Sequence, residues 1–209
     1  MIGMLIQGGW TMVPLGICSV VGLTIAIERF IALRRASVVD PGILDLVERF
    51  DENAPVENAV LACRRAHGAF ARIIEDILNA RHLDQAQIIE RMHATGRTQI
   101  GLLERGLTVL EIVAGVSPLL GLLGTVLGMV TVFNAITVHG LGNPQVLSDG
   151  ISKALITTVV GLCIAIPALA SHSWLSRRVD DLAVEMEDHA TAFAAKLQVI
   201  RRRQAAKSR

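Results

Sequence analysis

The sequence predicts an all-α membrane protein, with three spanning helices extended into a helical domain on one side of the bilayer. Two observations carry that class. Charged residues make up 19% of the chain, yet they are almost absent from three windows, 9–27, 112–138 and 154–174, and crowd the stretches between them. An apolar run of about 20 residues, rising about 1.5 Å each, matches the roughly 30 Å hydrocarbon core. Outside those windows apolar residues recur at helical spacing, and no strand pattern competes. The composition alone, 52% hydrophobic with a net charge of +1, would also suit a soluble core of three buried helices. The segregation of charge decides against it.

The first window, within residues 1–35, reads as a retained span rather than a removed signal peptide. No Lys or Arg precedes it, no small-residue cleavage site follows, and it runs straight into Glu28, Arg29, Arg34 and Arg35. Basic residues flanking a span stay in the cytoplasm. Arg29, Arg34 and Arg35 follow the first span, Arg177 and Arg178 follow the third, and the 139–150 loop carries Asp149 and no Lys or Arg. These positions predict an N-terminus outside, residues 36–106 inside, the 139–150 loop outside and the 177–209 tail inside.

The 36–106 segment is expected to be helical, with Ile43, Leu46, Val47 and Phe50, then Phe70, Ile73, Ile74 and Ile77, on apolar faces. Asp40 before Pro41 reads as an N-cap with proline at the first helical position. Asp84 with Gln87 reads as a capping box opening another helix. No proline occurs from Gln85 to Pro118, so one helix is expected to run directly into the second span, 107–138, against the weakening effect of Gly96, Gly101 and Gly106. The tail repeats the helical spacing through Leu182, Met186, Phe193 and Leu197, then ends in Arg201, Arg202 and Arg203. No aromatic-laced basic patch accompanies that run, so nucleic-acid binding is not expected.

The second and third spans, 107–138 and 151–176, carry the candidate chemistry. In the second, Gly121, Gly124, Gly128 and Thr125 put small residues on one side, which favours helix packing over exposure to lipid. Pro118 removes a backbone donor and is expected to bend the helix. In the third, Ala154, Thr158, Gly161 and Ala165 recur at spacings of four, three and four, beside Thr157 and ahead of Pro167. A hydroxyl in hydrocarbon either bonds back to its own helix carbonyl or lines a polar path. Both fates are open for Thr125, Thr157 and Thr158. Neither stripe holds an acid: Glu28 and Glu111 lie at the cytoplasmic ends, where ion pairing or headgroup contact accounts for them. A proton path here therefore needs its titrating group from another chain. Lys153 lies about a turn inside the outer boundary, and either snorkels outward or faces a pore mouth.

Metal, cofactor and catalytic readings find little support. Cys18, Cys63 and Cys163 are scattered, and the histidines form no HxxxH or HExxH pattern. No cluster of acids, histidines or nucleophiles occurs at membrane depth, so no enzyme activity, cofactor or metal is expected.

Residues 121–128 (GLLGTVLG) and 150–162 (GISKALITTVVGL), with Ala165-Ile166-Pro167 and the Glu28-Arg29 pair, resemble the core of the ExbB/TolQ/MotA proton-channel family. Three spans and a short chain bring the resemblance closest to ExbB/TolQ-like subunits. It implies a homo-pentameric ring in the bacterial inner membrane whose second and third spans line a central pore. It also implies an ExbD/TolR-like single-span partner inside that pore supplying a titratable aspartate, and a TonB- or TolA-like protein receiving the work. Thr125 and Thr158 match the family's pore threonines. Lys153 departs from the pattern, since ExbB and TolQ relatives often carry glutamate there, so the role of that acid is not carried over. A permease component of a transporter and a purely structural scaffold are the competing classes. The first would want a coupling loop for an ATPase, and the second would tolerate loss of its threonines.

Overall fold

The computed structural model describes residues 10–51, 54–139 and 144–207. The expected outer stub at 1–9 and the middle of the expected 139–150 loop, residues 140–143, lie outside the described residues. The described residues are helical throughout, with no strand: α1 Met12–Ala32, α2 Arg35–Val38, α3 Pro41–Arg49, α4 Val56–Arg65, α5 Ala69–Asn79, α6 Gln85–Glu104, α7 Leu107–His139 and α8 Pro144–Lys207. Three stretches, Met12–Ala32, Leu107–Asn134 and Gly150–Gln204, are long and apolar enough to cross a membrane. The chain divides into two compact units, one from Met1–Arg29 with Gly106–Trp174, the other from Phe30–Arg105 with Leu175–Arg209.

In the first unit the inward stripes of α7 and α8 are mostly small residues, and most large apolar side chains of these helices point outward. The buried stripe of α7 runs through Val113, Ser117, Gly121 and Gly124 to Val132, and that of α8 through Ala154, Thr157, Gly161, Ala165 and Ala168. Steps of three, four and eight place each set on one helix face. Leu119, Leu122, Phe133, Leu155 and Ile166 are exposed. A water-soluble bundle would invert this arrangement; in hydrocarbon, where apolar exposure costs nothing, packing selects small residues that let backbones approach. Gly22 of α1 lies against Val113, whose Cγ1 would stand 3.1 Å from an added Cβ.

The second unit has an ordinary apolar core. Ile43, Val47, Phe50, Cys63, Phe70, Ile73, Ile74 and Ile77 pack with Leu182, Met186, Phe193 and Leu197 from the end of α8. The Phe50 and Phe193 rings meet edge to face at 5.4 Å, an arrangement favoured by the aromatic quadrupole. Asp40 caps α3 by accepting from the Gly42 N–H at 2.7 Å, and α6 opens with a capping box in which the Asp84 N–H donates to Gln87 Oε1 at 3.2 Å. Gly68 is required by close approach, since a Cβ there would stand 2.7 Å from the Val38 carbonyl oxygen. Polar ties surround the core. Arg35 grips the Glu185 carboxylate through Nε (2.8 Å) and Nη2. Lys196 Nζ donates to the Val47 and Glu48 carbonyls at 3.2 and 2.6 Å, at the open end of α3 where a cation suits the helix dipole. Arg201 donates to the Leu83 carbonyl at 2.7 Å.

The structure corrects one expectation and departs from another segmentation. The helix from Gln85 does not run into the second span: α6 ends at Glu104, α7 begins at Leu107, and Gly106 between them has φ +89°. That left-handed conformation interrupts the α-helical ladder and is accessible chiefly to glycine. Conversely, the third span and the tail form a single helix that already begins at Pro144, within the segment read as a loop. Beyond Pro167 the described sequence offers neither Gly nor Pro to end it. Pro118 and Pro167 lie inside α7 and α8, as spanning helices tolerate when neighbours satisfy the freed groups.

Candidate functional site

The α7–α8 contact in the first unit is built from backbone-close pairs that run in opposite directions along the two helices. A Cβ on Gly128 would stand 2.8 Å from Ala154 Cβ, one on Gly124 would stand 2.5 Å from Thr157 Oγ1, and one on Gly121 would stand 2.9 Å from the Thr157 carbonyl oxygen. On Gly161 it would stand 2.6 Å from the Ser117 carbonyl oxygen. Each distance is shorter than side-chain carbons tolerate, so hydrogen is the only substituent these glycines can carry without separating the helices.

Two hydroxyls meet one carbonyl at the centre of this seam. Thr157 Oγ1 lies 2.7 Å from the Ala154 carbonyl oxygen of its own helix and 3.2 Å from the Gly121 carbonyl oxygen across the contact. Thr158 Oγ1 lies 3.2 Å from the same Gly121 oxygen. Thr157 is 1% exposed, whereas Thr158 is half-buried. Thr125, one turn further along α7, is half-buried and turns its hydroxyl back to the Leu122 carbonyl at 2.6 Å. The structure thus brings Thr157, Thr158, Gly121, Gly124 and Gly161 together, and gives the three threonines three different settings. Lys153 is half-buried immediately before the buried Ala154. Pro118 is half-buried and Pro167 exposed.

Sequence reasoning missed two members of the seam, Ser117 and Thr11. Ser117 is fully buried, and its Oγ donates to the Val113 carbonyl at 2.7 Å. Its position four residues before Gly121 and seven before Gly124 places it on their face, and that spacing was the available signal. Thr11, 5% exposed in the turn just before α1, brings its Oγ1 to 3.0 Å from an added Cβ on Gly124. No pattern in the sequence points to it. Among the described residues no group of three or more His, Cys, Asp or Glu side chains could hold a metal ion. Within the three membrane-capable stretches, the helix portions facing this seam supply hydroxyl and carbonyl oxygens but no carboxylate. Such an array can relay or orient a proton, and it cannot itself store one at neutral pH.

Comparison with known proteins gives a consistent picture. The profile of the MotA/TolQ/ExbB proton channel family matches residues 65–188. An ExbB-like 1 biopolymer transport protein of Synechocystis is 33% identical over 204 residues, covering 94% of this chain and 77% of the relative. Biopolymer transport protein exbB1 of Vibrio cholerae is 32% identical over 193 residues, covering 83% and 78%. An ExbB homologue of Methanothermobacter thermautotrophicus is 28% identical over 176 residues, covering 84% of this chain but only 62% of the relative's length.

Proposed function

This chain belongs to the MotA/TolQ/ExbB proton channel family, and from that premise we propose that it is the ring-forming subunit of an inner-membrane complex driven by the proton-motive force. In this reading five copies surround a pore lined by α7 and the first half of α8. An ExbD/TolR-like single-span chain stands in that pore and brings the titratable aspartate. The N-terminus faces the periplasm, the second unit and the tail face the cytoplasm, and the work reaches a TonB- or TolA-like protein, as in uptake across the outer membrane. Each charge crossing contributes about 2.3 kcal/mol per 100 mV, which is ample to bias a conformational step.

The observation that carries the reading is the α7–α8 seam: two adjacent apolar helices that expose large side chains outward and gather hydroxyls inward, with no carboxylate of their own at that depth. A channel that needs a partner's acid has this composition. Family membership favours neither a permease component nor a scaffold. The deciding experiment is the native mass of the gently solubilised complex with every copurifying chain identified. A homo-oligomer carrying a small single-span protein with an intramembrane aspartate is expected. A monomer, or a complex with an ATPase and no such chain, would overturn the proposal.

A further inference from the structure

A hydroxyl carries one proton, and a carbonyl oxygen has two lone pairs. Within α7 the Gly121 carbonyl is already the helical acceptor for the N–H four residues on, which leaves one lone pair for two hydroxyls. Thr157 and Thr158 both lie 3.2 Å from that oxygen. Thr157 has a second acceptor, the Ala154 carbonyl, at 2.7 Å; for Thr158 the Gly121 oxygen is the side-chain acceptor found. The two residues also differ in access, since Thr157 is 1% exposed and wedged against Gly124 while Thr158 is half-buried.

We propose that Thr157 is a positioning residue for Thr158, competing with it for the Gly121 carbonyl and thereby setting how firmly the Thr158 hydroxyl proton is held. When Thr157 donates to Ala154, Thr158 occupies the free lone pair and its proton points into the seam. When Thr157 rotates its proton to Gly121, Thr158 is displaced and its proton becomes available to whatever faces it. Rotation of one buried hydroxyl thus frees its neighbour; the rotation itself changes no covalent bond, and a proton then passes Thr158 by paired exchange, the oxygen accepting one proton as it gives up the other. The inference rests on the channel reading above, because it assigns Thr158 a place beside the moving ion.

The test uses the full complex with its copurified partner chain in vesicles, measuring proton flux per assembled complex in H2O and in D2O. Thr157→Val keeps the side-chain shape and removes the competing proton. It is expected to lower flux about two- to tenfold, the scale of one hydrogen bond, and to raise the H2O-to-D2O flux ratio, because the Thr158 oxygen gives up its proton only as it accepts the next one, and that paired exchange then limits the flux. Thr157→Ser is expected to recover most of the flux and the parental ratio. Should Thr157→Val fail to assemble, Thr157→Ala takes its place beside Thr157→Ser. Unchanged flux, or lower flux with an unchanged ratio, would overturn the inference and leave Thr157 a packing residue. Thr158→Val separates the two levels. If it conducts like the parent, the channel role of that hydroxyl fails and this inference falls with it. If it is inactive while Thr157→Val matches the parent, only the inference falls.

Discussion

Gly161 of α8 and Ser117 of α7 stand so close that a side chain on Gly161 would begin 2.6 Å from the Ser117 carbonyl oxygen. The obstacle is backbone, which cannot swing aside as a side chain would. Gly161→Ala is therefore expected to force the helices apart and cost about 1–3 kcal/mol, as overpacking does. Gly115, also in α7, is the control: nothing lies within 4 Å of a Cβ placed there, so Gly115→Ala should be neutral or stabilising by up to about 1 kcal/mol. Thermal inactivation of the purified protein in detergent would separate the two, and equal behaviour would sink the close-packed seam.

Gly106 permits a second test. Its φ of +89° costs an L-residue about 1–2 kcal/mol, and a Cβ would also meet Arg29 Nε at 3.1 Å. Gly106→Ala should lower the melting temperature, with Gly106→Asn intermediate because asparagine tolerates left-handed backbone better. Were alanine harmless, the α6–α7 break would not depend on this residue.

The Arg35–Glu185 pair predicts a pH dependence. Hydrogen bonding to Arg35 is the main cause holding the Glu185 carboxyl below its ordinary range, and the same contact raises Arg35. A depressed carboxyl stabilises the fold above the unfolded value near about 4.3. That contribution is lost as pH falls through the lower folded value. Glu185→Gln should therefore melt below the parent at neutral pH, by a modest amount because the Arg35 side chain is 53% and that of Glu185 25% exposed, so solvent screens the pair. The gap should close in acid. A gap that widened on acidification would refute the assignment.

Cys63 offers a chemical readout. It is fully buried in the second unit's core, and burial, with the Glu75 carboxylate as a smaller cause, pushes its thiol up to about 11. The thiolate is the reactive form, so Cys63 should resist an aromatic disulfide reagent at pH 8 and react once the chain is denatured. Labelling of native Cys18→Ser, Cys163→Ser protein at the rate of a free thiol would contradict its burial.

Much of this was legible in the sequence, because the responsible physics is local. The three apolar runs declare themselves by length, and Asp40-Pro41 and Asp84 with Gln87 declare helix starts by the donors those side chains satisfy. Membership of the family was legible too, since residues 121–128 and 150–162 are short, glycine-pinned strings. The break at Gly106 was not, because a glycine in a helical pattern does not reveal the sign of its φ. Nor was the difference between Thr157 and Thr158. Both fit a small-residue stripe, and which of them turns inward depends on the rotation of α8 against Gly121 and Gly124. Thr11 was invisible for the same reason: its neighbour on Gly124 is more than a hundred residues away in sequence.

The second unit takes six of its 23 buried core residues from the end of α8, Leu182, Met186, Phe193 and Leu197 among them. During synthesis α3 to α6 leave the ribosome long before those residues exist. Phe50, Phe70, Ile73 and Ile74 must wait, uncovered, while two further apolar stretches are threaded into the bilayer. Only then does the last part of α8 arrive to close over them, with Lys196 and Arg201 tying it to the Val47, Glu48 and Leu83 carbonyls. Completion of this unit thus reports that the whole chain has been inserted. A nascent polypeptide stalled before residue 182 would present a sticky apolar face to chaperones and proteases, because the residues that cover it would be missing.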